Sequence, residues 1–287
     1  MKVSGFTFIK NAVKFQFPIV EAIQSILPLC DEVVVAVGDS EDETREIVLS
    51  IDSKIQVIDT VWDENQKGGG VLAAETNKAF HAVSKDSDWC FYIQGDEIVH
   101  EDEYNEITSA MHKWKDAEDV DGLLFKYRHF YGSFDYIGIS SQWYKNEIRI
   151  IKNNKNIFSY KDAQGFRKNK NQKLGVKPLN AFIHHYGWVR EPKAMEAKAR
   201  NSRSFYHGKT GDEQIADSKD FDYSQIDALE NFKGTHPLVM QEQIKNKNWK
   251  FEHNMAYNKL KPKEKFKNLI EKITGNRPFD FKNYKII

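Results

Sequence analysis

The chain has 287 residues, with 42 basic and 42 acidic side chains and 40% hydrophobic residues. That length suits one large α/β domain, alone or with an appendage, and zero net charge argues against nucleic acid as a general partner. Two cysteines, Cys30 and Cys90, can build neither a disulfide framework nor a zinc site, and read as small buried hydrophobes of a reduced compartment.

In chain order, Gly5 to Ile9 predicts a short strand running into a polar loop at Lys10-Asn11. Pro18 opens a helix whose Val20, Ile23, Ile26 and Leu27 share one face. Val33 to Val37 is uniformly apolar, as in a central parallel strand covered on both faces, and a turn at Gly38-Asp39-Ser40 precedes a helix over Thr44 to Leu49. "KIQVIDTVW" predicts a third strand. Gly68 to Gly70 form a loop with no P-loop signature, and a helix follows with Leu72, Thr76, Ala79, Phe80 and Val83 inward. Trp89 to Ile93 is the next strand. Alternation of strand and helix through the first hundred residues predicts a doubly wound α/β unit with ligands at the carboxyl ends of its strands.

Beyond a helix over Tyr104 to Trp114, "GLLFKYRHFYGSF", "EIRIIKNN" and "AFIHHYGWVR" read as strands of a more mixed sheet. From Pro192 the periodicity turns helical and polar, which sets a boundary near residue 195: 1–195 as the ligand-binding unit, 196–287 as an extension. Acids crowd 86–121, whereas lysines dominate from Gln241 onward. Near the end, Phe266, Leu269, Ile270 and Ile273 fall at helical spacing before a cap at Gly275. They read either as a helix docked on the body or as a peripheral anchor on anionic lipid. No apolar run approaches the ~20 residues of a membrane span, and the N-terminus lacks a signal peptide's apolar core. The expected setting is cytoplasmic, with contact at the inner face of the membrane left open.

Four constellations carry candidate chemistry. Gln94-Gly95-Asp96-Glu97 ends a buried strand on two carboxylates, which suit a hard cation such as Mn²⁺ or Mg²⁺, while Gly95 admits close approach; an acidic turn has the same composition. Asp39 and Asp42 in "VGDSEDET" suit a nucleoside, while Ser40 or Asp39 also suits the N-cap of the following helix with Glu43 in its first turn, and the two roles can coexist. His184 and His185 alternate across a strand, so one at most faces a given site. Arg149, Asp162 and Arg167 are candidates for a phosphate contact and a general base, and also for ion pairing and turn formation.

Taken together, "FTFIKNA", "DEVVVAVGDSEDET", "WCFYIQGDEIV" and "HHYGWVR", in that order over roughly residues 1–195, resemble a family 2 type glycosyltransferase. The resemblance implies a GT-A fold: a Rossmann-like mixed α/β sheet flanked by helices, here with a mostly helical C-terminal extension. It implies inverting transfer of a sugar from a nucleotide diphosphate sugar to an acceptor hydroxyl, on a carbohydrate or lipid-linked acceptor in surface polysaccharide or glycoconjugate synthesis. Phe8, Lys10 and Asn11 then lie against the nucleotide with Asp39 and Asp42, and Gly70 and Asn77 join the donor side. Gln94 replaces the first acid of the family's Asp-x-Asp motif, Asp96 keeps the last, and Glu97 and His185 complete the implied Mn²⁺ or Mg²⁺ ligands. Asp162 is the expected base, with Glu191 as an alternative, and Arg149 the expected contact of the leaving diphosphate. A silent nucleotide-sugar binding protein is the rival reading. A nucleotidyltransferase is disfavoured because "FIKNA" is not a glycine-rich loop.

Overall fold

The computed structural model of the chain describes residues 1–63, 66, 68–207, 220–274, 277–278 and 281–287. Val3–Ile9 (β1) and Glu32–Gly38 (β2) lie side by side at its centre, and β2 is buried along its whole length. Both run parallel to Ile55–Thr60 (β3) beyond β2 and Trp89–Tyr92 (β4) beyond β1. Helices Ile19–Ile26 (α1), Thr44–Leu49 (α2) and Gly70–Ala82 (α3) make the crossovers. The uniformly apolar sequence of β2 follows from cover on both faces: one core cluster holds Val33, Val35 and Val37, and another Val34 and Ala36.

Beyond β4 the sheet becomes mixed. Asn146–Lys152 (β8) pairs antiparallel with β4 and with Gly122–Tyr131 (β6). The long strand Gly175–Trp188 (β12) runs parallel to β6 and antiparallel to Glu97–Val99 (β5). Tyr136–Gly138 (β7) continues the sheet to Leu229–Asn231 (β13), and Lys285–Ile286 (β14) adds to β12. Ile157–Tyr160 (β9), Gly165–Lys168 (β10) and Gln172–Lys173 (β11) form a small separate sheet. Tyr104–Trp114 (α4), Pro192–His207 (α5), Gln241–Lys245 (α6) and Pro262–Thr274 (α7) are the later helices. The architecture is the expected Rossmann-like mixed α/β sheet flanked by helices.

The parallel run brings the ends of β1, β2 and β4 to one edge, so Lys10-Asn11, Asp39 and Gln94 to Asp96 lie along it. Three expectations need correction. The buried face of α1 is Ile19, Ala22, Ile23, Ser25 and Ile26, and Val20 and Leu27 are only partly covered. Residue 195 falls inside α5, and the segment beyond it contributes two strands to the main sheet as well as helices. On α7, Phe266, Leu269 and Ile273 point outward rather than into the body, and Ile270 is partly covered. The cap expected at Gly275 lies outside the described residues. Among the described residues no helix is long and apolar enough to cross a membrane.

Candidate active site

The loops after β1 and β2 are sewn together by side chain to backbone hydrogen bonds. Asn11 adopts φ +54°, a left-handed conformation that asparagine tolerates, and its Oδ1 accepts from the Glu41 amide at 2.7 Å. The Asn11 amide donates to Ser40 Oγ (3.0 Å), and Asp42 accepts from the Lys14 amide (2.7 Å) and the Thr44 amide (3.1 Å). Asp42 therefore turns the chain into α2 and ties the loops, and its carboxylate is spent there. Asp39 is half-exposed and pairs with Lys10 Nζ at 2.7 Å. Beside them Trp62 packs between Phe8 and Phe205, with ring centroids 5.8 and 5.4 Å away, and its buried indole N–H has no partner. Aromatic faces next to a free donor and an acidic group suit a planar heterocycle.

Asp96, only 7% exposed, sits where β4, β12 and α5 meet. Lys198 of α5 donates from Nζ to Asp96 Oδ2 (2.8 Å) and to the Gly187 carbonyl (2.7 Å). His185 Nε2 lies 3.7 Å from Asp96 Oδ1. A chain of bonds sets the tautomer of His185. His129 Nε2–H donates to the Tyr144 carbonyl (2.8 Å), so neutral His129 presents an unprotonated Nδ1, which accepts from His185 Nδ1–H (3.0 Å). Burial, and then His185 beside it, holds His129 well below the usual histidine range, and burial also lowers His185 despite the acids facing it. His185 Nε2 thus turns a lone pair toward the carboxylate, the orientation a metal ligand needs. Burial opposes the charge on Asp96, yet the cations Lys198 and Arg190 hold its carboxyl far below the usual range. Burial and the neighbouring Arg190 bring Lys198 down to about 8. Arg190 clasps the Phe15 and Gln16 carbonyls through Nε and the Gly187 carbonyl through Nη1, leaving Nη2 buried without a partner. Gly187 is obligatory here, since a Cβ would stand 2.6 Å from the His185 ring and 2.9 Å from Asp96 Oδ2.

Several expected site residues turn out to serve the frame. Glu97 and Arg149 are fully buried and bind each other in a fork, with Nε–Oε2 and Nη2–Oε1 both 2.7 Å. The Tyr127 hydroxyl (2.8 Å) and the Gln94 amide (3.1 Å) also bond Glu97, and Arg149 Nη1 donates to the Ile148 and Gln164 carbonyls. The metal role expected for Glu97 and the diphosphate role expected for Arg149 are therefore corrected: each group is already consumed by the other. Asn77 is likewise taken, exchanging two hydrogen bonds with the Ser159 backbone (2.7 and 3.2 Å). Arg167 Nη1 holds the Asn283 carbonyl, and His184 faces Arg128 on the opposite side from His185. Glu191 lies just before α5, half-buried.

The replacement at Gln94 now has a physical account. Its amide Nε2 donates to the Tyr92 hydroxyl and to the Ala163 carbonyl, both at 3.3 Å, and a carboxylate has no proton for the second bond. Gln94 thereby anchors the loop carrying Asp162. Asp162 is flanked by Lys161 and Ala163, both at positive φ (+54° and +62°), a conformation that costs energy outside glycine. Gly69, at φ +76°, precedes α3 as its N-cap and lies against Asp162, where a Cβ would come within 2.8 Å, and the Tyr206 hydroxyl donates to Asp162 Oδ2 (3.2 Å). Gly70 is the first residue of α3, and Gly95 packs against Ile9.

The residues that sequence reasoning missed are Trp62, Arg190, Lys198 and Glu147. Glu147, on β8, has a buried Oε2 without a partner, and burial raises its carboxyl to about 8 despite Arg149 nearby. A carboxyl whose folded pKa lies above its unfolded value keeps its proton in the folded state while the unfolded chain loses it. Stability therefore falls as pH rises from about 4.5 to 8. Glu147→Gln should be more stable than the parent by about 4 kcal/mol at pH 8 and equal at pH 4. Urea unfolding at both pH values measures the difference, and a gain of the same size at pH 4 would contradict it.

No family model matches the chain, and no curated protein matches it. Among solved structures it is similar to glucosyl-3-phosphoglycerate synthase from Mycobacterium tuberculosis, in a complex with Mn²⁺, uridine diphosphate and phosphoglyceric acid. Identity is 18%, the TM-score 0.30, and coverage 45% of this chain and 43% of that one. It is also similar to S. aureus TarS 1-349, at 15% identity and TM-score 0.40, over 70% of this chain and 64% of that one. The chain thus spans less than two thirds of either structure. Overlaps this partial carry neither fold nor activity across.

Proposed function

We propose that the protein is a glycosyltransferase that moves a sugar from a nucleotide diphosphate sugar to an acceptor hydroxyl with inversion. The observation that carries it is the convergence, at one sheet edge, of an acid-and-aromatic loop pair with a buried Asp96 set among His185, Lys198 and Arg190. Phe8 and Trp62 would stack the base, with Asp39 bonding base or ribose once Lys10 turns toward phosphate. Lys198 and the free Nη2 of Arg190 supply positive charge for the diphosphate leaving group. Asp96 Oδ1, an anionic oxygen, suits Mn²⁺ or Mg²⁺, and His185 Nε2 would join it on Mn²⁺; among the described residues no third acid, histidine or cysteine gathers with them, so the donor diphosphate would complete the shell. Bound there, such an ion would add Lewis-acid charge beside the same diphosphate.

On the acceptor side, Asp162 is the carboxylate we assign to receive the hydroxyl proton as that oxygen attacks the anomeric carbon from the face opposite the diphosphate. Its strained loop, pinned by Gln94 and Tyr206, holds the group in place rather than leaving it on a mobile turn. The acceptor is a carbohydrate or a lipid-linked glycan, and the setting is surface polysaccharide or glycoconjugate synthesis.

Thermal unfolding with each common nucleoside diphosphate, with and without Mn²⁺, tests the reading. The correct nucleotide at a hundredfold excess over its Kd should stabilise the fold by about 2.7 kcal/mol, and Asp96→Asn should abolish the Mn²⁺-dependent part. A flat response to every nucleotide overturns it. Tight donor binding without turnover across a broad acceptor panel would favour the silent binding protein.

A further inference from the structure

Helix α7 is docked by its polar side. Glu264 accepts from the Ser141 amide and hydroxyl (3.2 and 2.5 Å), Asn268 donates to the Ile139 carbonyl (3.3 Å), and Lys267 is buried. The opposite side carries Phe266, Leu269 and Ile273, which are 57, 56 and 75% exposed. These three fall at i, i+3 and i+7 and make one apolar stripe facing away from the protein. A helix that contributes only to its own domain buries such a stripe. Here a solvent-facing arrangement is fixed by specific hydrogen bonds on the other side, so the exposed stripe needs an external occupant.

Charge identifies that occupant. Lys259, Lys261, Lys263 and Lys265 are all exposed on α7 and the segment leading into it. A second copy docking through the same face would bring these ammonium groups against their own equivalents, because a twofold interface pairs a patch with itself. An anionic lipid surface answers both features: acyl chains receive Phe266, Leu269 and Ile273, while the headgroups neutralise the lysines. We propose that α7 lies in the plane of an anionic membrane with this stripe inserted at the headgroup–acyl boundary. The inference does not depend on the donor chemistry proposed above.

The test is co-sedimentation of the full chain with vesicles of phosphatidylcholine alone or with a phosphatidylglycerol fraction. Binding to the anionic vesicles should be roughly tenfold stronger, and should weaken as salt is raised. The triple variant Phe266→Ser, Leu269→Ser, Ile273→Ser should lose it while keeping the parent's unfolding temperature and its nucleotide response, since none of the three side chains is buried. Lys263→Glu with Lys265→Glu should lose the preference for anionic lipid. Equal sedimentation of parent and triple variant overturns the proposal. So does a parent dimer in light scattering that the triple variant converts to monomer without any vesicle binding, which would assign the stripe to a second copy.

Discussion

Arg149→Met should destabilise the protein by about 3–5 kcal/mol, because it leaves the Glu97 carboxylate buried without its counter-charge. Both side chains are wholly inaccessible, and two 2.7 Å bonds join them in a planar fork. Burial alone would lower the arginine, yet Glu97 and Tyr127 hold it well above its ordinary pKa, so the guanidinium is charged at every accessible pH. The register between β6 and β8 slips between Leu123 and Leu124, where Ile150 and Ile148 are the successive partners, and this bulge sets Arg149 apart from the flanking ladder. Glu97→Gln should cost a similar amount, and the double variant less than the sum, since it removes both charges together. Urea midpoints with unchanged m-values would measure all three. If Arg149 instead met the leaving diphosphate, its loss would reduce turnover and spare stability, and a change below about 1 kcal/mol would decide for that role.

The same pair shows what one sequence makes legible. The apolar runs of β2 and β4 were readable because cover on both faces leaves no alternation to misinterpret. His184 and His185 were readable as a choice, since neighbours on an extended strand point oppositely, and His185 is the one that meets Asp96. The same rule applies to Asp96 and Glu97, where treating adjacent acids as one ligand set overlooked it. Arg149 carried a usable signal: an arginine inside "IRII" is surrounded by residues that will be buried, so it needs a buried acid. For α7, periodicity gave the stripe without its direction, because direction depends on Ser141 and Ile139, more than a hundred residues away. Lys198 left no local trace at all. It lies on a polar helix 102 residues from Asp96, and only the fold of β12 into α5 brings the two together.

That contact produces the second large effect. Lys198→Met should lower stability by about 3 kcal/mol in metal-free buffer, because Asp96 stays ionised in a nearly closed site with its closest cation removed. The loss should be repaid in part by Mn²⁺. An ammonium and a dication on one carboxylate repel each other strongly where water is scarce, so in the parent Lys198 on Asp96 Oδ2 would oppose an ion held at Oδ1. The methionine variant has no such competitor, and His185 Nε2 still offers its lone pair, fixed by His129 and the Tyr144 carbonyl. Mn²⁺ should therefore bind the variant on the order of tenfold more tightly, read by the loss of the free-ion signal in electron paramagnetic resonance, and should raise its unfolding temperature more than the parent's. Adding Asp96→Asn should erase both responses. Equal Mn²⁺ affinity in parent and Lys198→Met would mean that lysine and metal do not compete for Asp96. The positive charge at the donor diphosphate would then come from Lys198 and the ion together rather than from one replacing the other.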